Sequence, residues 1–511
     1  MRKIKLHYLF IFILLLSANK INAQFTNNFW VFGDSCGINW TNTTTPSIFK
    51  TNSKGRGTFV TLSDSSKLLN YAFTRSNNAA SNTTLLFNQY NDTVVNGIDI
   101  VGEAWYHELI FLPVEGSDSL VYLFSIGVTG SSLFGLYYTL INYKANNDSG
   151  VVIQKNVQLN TFPAFDGLTA VRHGNGRDWW LVFQRWYSPL GAGSTNDYYL
   201  YMISPSGITP SIVQYIGPTH DTNAGQLFIN NVGDKIGIVS FTGLFSIFNF
   251  DRCSGVLSNP ITIENERVAG FPYYTSGVFS PDDTKVYVTA YTHPNGLGFL
   301  DTLYQYDLTS ANINMSRQAI YTAPNSDVGF GAMKLAPDGK IYLTSVDLTA
   351  SIPYPDSLYT IYNTHLSVIN QPDSLGLACD FQPFSFYLGG ARTYYGLPNN
   401  PDYELGAWVG SPCDTLTVGL TENNQKEEVF FQAWYNHEWN MIHVNASKLK
   451  GRSGVLRLFD VEGRVVYERK VDVIAGGYFT GEVAMNGIAS GVYIVSLTTE
   501  KDKVQGKVLK F

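Results

Sequence analysis

Short apolar pulses, each introduced by a polar turn, recur through most of this chain. The phrase reads Leu62-Ser-Asp-Ser-Ser-Lys67-Leu-Leu-Asn-Tyr71, then Val114-Glu-Gly-Ser-Asp-Ser119-Leu-Val-Tyr-Leu-Phe124, then His173-Gly-Asn-Gly-Arg-Asp178-Trp-Trp-Leu-Val-Phe183. It returns as Asn231-Val-Gly-Asp-Lys235-Ile-Gly-Ile-Val239, Ser280-Pro-Asp-Asp-Thr-Lys285-Val-Tyr-Val288 and Ala336-Pro-Asp-Gly-Lys340-Ile-Tyr-Leu343. The last turn residues, 67, 119, 178, 235, 285 and 340, are spaced by 52, 59, 57, 50 and 55. A steady period in this range marks blades or arrays. Pro presets the turn backbone, Asp and Gly tolerate its tight positions, and the β-branched or aromatic run that follows pairs into a sheet.

Further strand-like segments flank each turn. Upstream lie Tyr106–Phe111, Gly167–Val171, Gly225–Ile229, Gly277–Ser280 and Gly331–Leu335; downstream lie Tyr198–Ile203, Leu244–Phe250 and Leu303–Asp307. Three or four short antiparallel strands per unit, repeated radially, predict an all-β propeller of six or seven blades over residues 24–415. Phe29–Phe32, with material near Tyr394–Val409, would complete a seventh blade. A two-sheet sandwich array is the alternative architecture.

The two ends read differently. Arg2, Lys3 and Lys5 precede a nearly all-apolar Leu6–Leu16, and Ile21-Asn22-Ala23 supplies a small residue before Gln24. This predicts a signal peptide over 1–23, cut between Ala23 and Gln24. No later run approaches the roughly 18 apolar residues of a membrane helix, so the mature chain is expected to have no transmembrane segment. Thr421–Glu428 is polar and charged, and residues 416–428 are expected to form a linker. Beyond it, Gly454–Val466, Ser490–Leu497 and Lys507–Phe511 alternate apolar and polar positions as half-buried strands do.

Those closing phrases resemble the C-terminal sorting domain of type IX secretion substrates in Bacteroidota. The resemblance implies a small Ig-like β-sandwich over 429–511, a type IX translocon as partner, and delivery to the outside or the outer cell surface. It also implies that the signal is carried by residues such as Gly463, Gly491, Tyr493, Lys507 and Lys510. The body in turn resembles the secreted, WD-like propellers attached to such tails, through Phe32-Gly-Asp-Ser-Cys-Gly-Ile-Asn-Trp40, Arg172–Trp180, Asn249–Gly255, Pro337–Tyr342 and Tyr395-Gly-Leu-Pro398. That group has no single activity, so this second resemblance implies fold and location only.

Composition changes the picture in three ways. With 44% hydrophobic and 15% charged residues over 511 positions, the chain has ample material for a core. Removing the leader takes away Arg2, Lys3, Lys5 and Lys20 and no acid, so the formal charge moves from −7 to −11. That sign excludes a broad basic surface for nucleic acid. Four cysteines, Cys36, Cys253, Cys379 and Cys413, permit two disulfides in three pairings; at least one disulfide is expected, with buried free thiols as the alternative. None is spaced as Cys-x-x-Cys, and no His pair shows H-E-x-x-H spacing, so neither a metal nor a cofactor is expected.

Candidate chemistry is sparse. Gly33-Asp-Ser35-Cys-Gly37 matches the nucleophile-elbow pattern, but the required helix is absent, so a structural turn is expected. On propellers, carboxylates where inner strands begin can form an acid/base pair. Glu103, His107, Asp166 and Asp327 fall there, along with Asn223 and Tyr274, although polar residues stand at blade ends in any propeller. Asp282, Asp283 and Asp338 sit in the turns and are expected to be structural. Aromatic pairs give the strongest binding hint: Trp180, Trp186 and Tyr187, with Arg172 and Arg185 nearby, suit stacking on a sugar or a partner's apolar patch. The plainer reading packs these rings between blades. These features point to a binding or adhesion module for a glycan or protein, with a polysaccharide-active hydrolase or lyase using Asp166 as the alternative.

Overall fold

The computed structural model describes residues 25–75, 83–127, 133–187, 195–265, 272–292, 300–414, 429–436, 440–473 and 477–510. The expected leader with its Ala23–Gln24 cleavage point, the linker and His437 lie outside them.

Seven antiparallel sheets make up the body, taken here in chain order. Sheets two to seven each begin with an innermost strand: Phe59–Ser63, Leu109–Pro113, Ala164–Arg172, Gly225–Ile229, Tyr273–Phe279 and Val328–Leu335. Each then steps outward through consecutive strands, so every sheet is a local meander. Consecutive innermost strands are neighbours around a closed ring. This is a β-propeller, and the recurring turn phrases join each innermost strand to the second. The turn carboxylates are structural, as expected: Asp283 accepts from the Asn231 backbone at 3.0 Å and so ties one sheet to the next, while Asp338 accepts from the Tyr342 hydroxyl at 2.8 Å.

The first sheet, Phe29–Phe32, Asp34–Asn39 and Ser47–Lys54, lacks an innermost strand of its own. Its first strand runs antiparallel to the neighbouring Phe59–Ser63, with Thr26 bridging Ser63. The innermost place is taken by the far end of the body. Tyr395 accepts from Ala332 N at 2.6 Å on one side, donates to Arg56 O at 2.9 Å on the other, and Asn399 N donates to Phe59 O at 2.8 Å. Two glycines allow this closure: a Cβ on Gly396 would stand 1.6 Å from Gly57 O, and one on Gly57 would stand 1.6 Å from Trp105 O. The ring is therefore closed by residues more than three hundred positions apart in the chain.

From there the chain continues through the ring. The Asn399 side-chain amide lies 3.3, 3.0 and 2.7 Å from the carbonyls of His107, Leu109 and Leu168. Lys334, half-buried inside the ring, donates to Asn400 O at 3.1 Å, and desolvation holds its ammonium down to about 8. Tyr403 then packs against Phe25 and Trp179, and its hydroxyl donates to Phe111 O at 3.0 Å. The segment ends at Cys413, bonded to Cys253. Four cysteines thus make one disulfide, because Cys36, in the strand Asp34–Asn39, and Cys379, at the end of the short turn Gly376–Cys379, are buried apart as free thiols.

The core follows the ring: apolar clusters fill the spaces between successive sheets. A separate cluster, including Ile442, Leu456, Leu458, Val495 and Leu497, belongs to a two-sheet sandwich. One layer is Phe430–Asn436, Met441–Ser447 and Phe479–Ala484; the other is Val465–Asp472, Ser453–Phe459, Gly491–Thr499 and Lys503–Lys510. Tyr493 donates to Ala489 O at 2.6 Å, Lys510 to Ile488 O at 2.6 Å, and Gly463 closes a turn onto Asp460 O at 3.0 Å. Gly491 opens the strand that pairs with the last one, where Ile494 faces Lys507. Among the described residues no helix is long and apolar enough to cross a membrane.

Candidate functional site

Every innermost strand begins at the same end of the ring, here the upper end, and this distributes the predicted site residues. Arg185 pairs with Ala164 at the upper end, whereas Arg172 and Trp180 pair with Trp179 and Val171 at the lower end of the same two strands. The expected cluster is thereby divided.

At the lower end Trp180 is 3% exposed and donates from Nε1 to Arg252 O at 2.9 Å. It is a core residue and has no face to offer a ligand, and its neighbour Trp179 is buried too. Arg172 donates to Gly176 O at 3.1 Å and Tyr403 O at 2.9 Å, with its guanidinium 4.3 Å from the Trp179 ring centre. It holds the segment leaving the channel. Arg177, beside it, pairs with Asp178 at 2.7 Å.

At the upper end Arg185, Trp186 and Tyr187 stay together and are half-buried. The Arg185 guanidinium lies 4.2 Å from the Tyr187 ring centre and 5.0 Å from Phe162. Tyr187 donates to Asp197 at 2.6 Å, which holds the ring in place. This hydrogen bond, followed by partial burial, pushes the Tyr187 hydroxyl up.

The axial acid/base candidates also lie at the upper end, but below its surface. Asp166 is 1% exposed and Glu103 and His107 are 3% exposed. Asn223 donates to Asp166 at 3.3 Å. Burial, and then the Lys334 charge, pushes the His107 imidazole down to about 3, so it is neutral at ordinary pH. Asp327 is exposed and stands apart at the start of the last innermost strand. These four residues do not form a carboxylate pair open to a polymer. Tyr274 is buried against Tyr306, with hydroxyls 3.0 Å apart.

Glu108 has a structural use. Its carboxylate accepts from Thr58, from Trp105 N at 3.1 Å and from Tyr106 N at 2.8 Å, fixing the turn that presents Trp105. Burial pushes it up to about 8, against the pull of these donors. Ser35 is the second residue of the strand Asp34–Asn39, just past the Gly33 turn, with φ 64°, and its hydroxyl donates to its neighbour Asp34 at 3.2 Å. The chain continues as strand and not as helix, so the nucleophile-elbow pattern is coincidental. No group of three His, Cys, Asp or Glu suited to a metal ion occurs among the described residues.

The sequence reading missed the residues that shape the upper surface. Arg56 lies 4.0 Å from the Trp105 ring centre and 5.2 Å from that of Tyr395, and Trp105 is 36% exposed. Tyr106, packed against Phe241 and Tyr395, forms the floor. A cleft of about 620 Å³ opens beside them, lined by Lys54, Arg56, Arg75, Leu348, Ile352 and Tyr395, among others. Asp301 was missed as well; it accepts from Phe330 N, and burial pushes its carboxyl up to about 7. The one available signal was Gly55-Arg56-Gly57, an arginine held between glycines just before an innermost strand.

The fold defines the class, an all-β protein with a propeller body and a β-sandwich tail. Residues 438–510 match the family described as Secretion system C-terminal sorting domain, so this tail is a sorting domain of the type IX secretion system. No curated protein matches the sequence. Among solved structures, a quinonprotein alcohol dehydrogenase-like protein from Bacteroides thetaiotaomicron is similar at 12% identity and TM-score 0.36, over 67% of this chain and 72% of that one. PorZ, a surface component of the type IX secretion system of Porphyromonas gingivalis, is similar at 11% identity and TM-score 0.28, over 95% and 74%. An auxiliary nutrient binding protein from B. thetaiotaomicron is similar at 8% identity and TM-score 0.33, over 57% and 67%. These distant likenesses carry no functional argument.

Proposed function

We propose that this protein is a secreted or surface-held recognition module, which binds a glycan or a surface protein with the upper end of its ring. Its leader takes it across the inner membrane, and its sorting domain engages the type IX translocon. The observation that carries the binding role is the division of the aromatic and cationic residues. Those at the lower end are consumed by packing, while Arg56, Trp105, Arg185, Trp186 and Tyr187 gather where sheet-joining loops frame a rigid surface. Against a hydrolase or lyase stands the depth of Asp166 and Glu103, which a polysaccharide does not reach.

Binding and turnover are measured side by side on the mature protein, with a glycan array and polysaccharide digestion. Saturable binding without turnover is expected. Turnover that Asp166→Asn abolishes would replace this reading with the enzymatic one. For export, a protein lacking residues 438–510 is expected to accumulate in the periplasm, and its arrival at the cell surface would refute the sorting role.

A further inference from the structure

Three cations, Lys54, Arg56 and Arg75, line the upper cleft. The mature chain carries an excess of acids, and some of its cations draw a partner from them. Arg392, close to this cleft, has one: it pairs with Asp34 at 2.5 Å and packs over Tyr359. Lys54, Arg56 and Arg75 have no ion pair among the described residues, and no carboxylate lines the cleft. They come from three places in the chain: the end of Ser47–Lys54, the turn after it, and the end of Leu68–Arg75. Ring closure brings them together against Leu348, Ile352 and Pro353 of the last propeller sheet.

Arg56 is also pre-positioned. The Trp105 and Tyr395 rings lie 4.0 and 5.2 Å from its guanidinium, and its Nε meets no acceptor. A guanidinium held by aromatic rings loses little rotamer freedom when it meets a planar anion, and its fork matches a carboxylate or sulfate oxygen pair. Flanking cations at Lys54 and Arg75 suit a ligand with repeated charges. The apolar wall of Leu348, Ile352, Pro353 and Tyr394 suits the C–H faces of a sugar ring. The volume, about 620 Å³, is that of a small-ligand site, large enough for a short oligosaccharide.

Resting on the recognition role proposed above, we infer that this cleft binds an acidic saccharide, one bearing carboxylate or sulfate groups. Uronate and sulfate share the recognising chemistry, and separate probes distinguish them.

The mature full-length protein is titrated calorimetrically with oligogalacturonate, chondroitin sulfate oligomers, neutral cello-oligosaccharides and poly-glutamate peptide. Oligogalacturonate or the sulfated oligomer is expected to bind, more weakly as salt rises. Arg56→Gln combined with Arg75→Gln is expected to weaken that binding about tenfold or more, while Lys144→Gln at the lower end leaves it unchanged. Circular dichroism confirms that each variant is folded, and Arg75→Gln alone, at an exposed strand end, serves if the pair is not. Acidic saccharide binding that ignores both arginine variants overturns the inference, as does equal binding of poly-glutamate. Binding of the neutral saccharide alone, lost in Trp105→Ala, overturns the inference and leaves the recognition role standing. Absence of binding to every probe and every array ligand defeats both.

Discussion

The two ends of the ring use the same residue types for opposite purposes. At the lower end Arg252 donates to Arg172 O at 2.8 Å and to Gly406 O at 2.5 Å, and Arg172 donates to Tyr403 O, so both guanidiniums are tied to backbone carbonyls. At the upper end Arg56 and Arg185 lie against aromatic rings instead. The difference comes from where the closing segment emerges. It leaves the channel at the lower end and brings carbonyls that need donors, and among the described residues no such segment covers the upper end. An arginine close to orphan carbonyls becomes structural, and one beside an open cleft stays available for a ligand.

The contrast can be broken most strongly at the lower end. Replacing Cys253 and Cys413 together by Ser is expected to cost about 3 kcal/mol, because the bond spans a sequence separation of 160. Equilibrium denaturation measures this, and a loss under about 0.5 kcal/mol would show that the closing segment is held without it. Next in size, Arg172→Ala is expected to cost about 2 kcal/mol by stranding the Tyr403 and Gly176 carbonyls. Arg185→Ala is expected to cost under about 1 kcal/mol, a typical loss for a partly exposed ring contact. Equal losses would erase the distinction between the two ends.

A separate effect concerns pH at the upper end. The Asp301 carboxyl is pushed up to about 7 in the fold, chiefly by burial, from an ordinary unfolded value near 4. A raised carboxyl pKa means that the fold prefers the protonated form. Its contribution is complete below the unfolded pKa and is lost as pH rises through the folded one. Asp301→Asn, still able to accept from Phe330 N, should therefore gain on the native protein between pH 4 and 7, by at least about 1 kcal/mol. Parallel stability curves for the two proteins over that range would remove Asp301 from the account.

Much of the architecture was legible because its signals are local. Gly225–Ile229 is an innermost strand with the bounds the pattern predicts, and Gly167–Val171 and Gly331–Leu335 fall inside observed ones. The tail strands were legible in the same way, since alternation with period two records one buried face. The candidate site was less so. Trp180 and Trp186 are six positions apart and read alike as exposed-aromatic candidates, yet one strand carries the first to a packed end and the second toward an open one. Asp166 was correctly placed where an innermost strand begins, but its depth of burial depends on neighbouring sheets.

By itself, the sequence determined what adjacent residues can encode: strand periods, turn chemistry, the repeat and the tail's sorting signature. Only the tertiary structure decided which cations are tied to backbone carbonyls and which pair of the four cysteines bonds. It also decided that Tyr395 and Asn399 close the ring between Ala332 and Phe59. Those outcomes depend on contacts between residues hundreds of positions apart, which arise only when the ring closes and which no local pattern records.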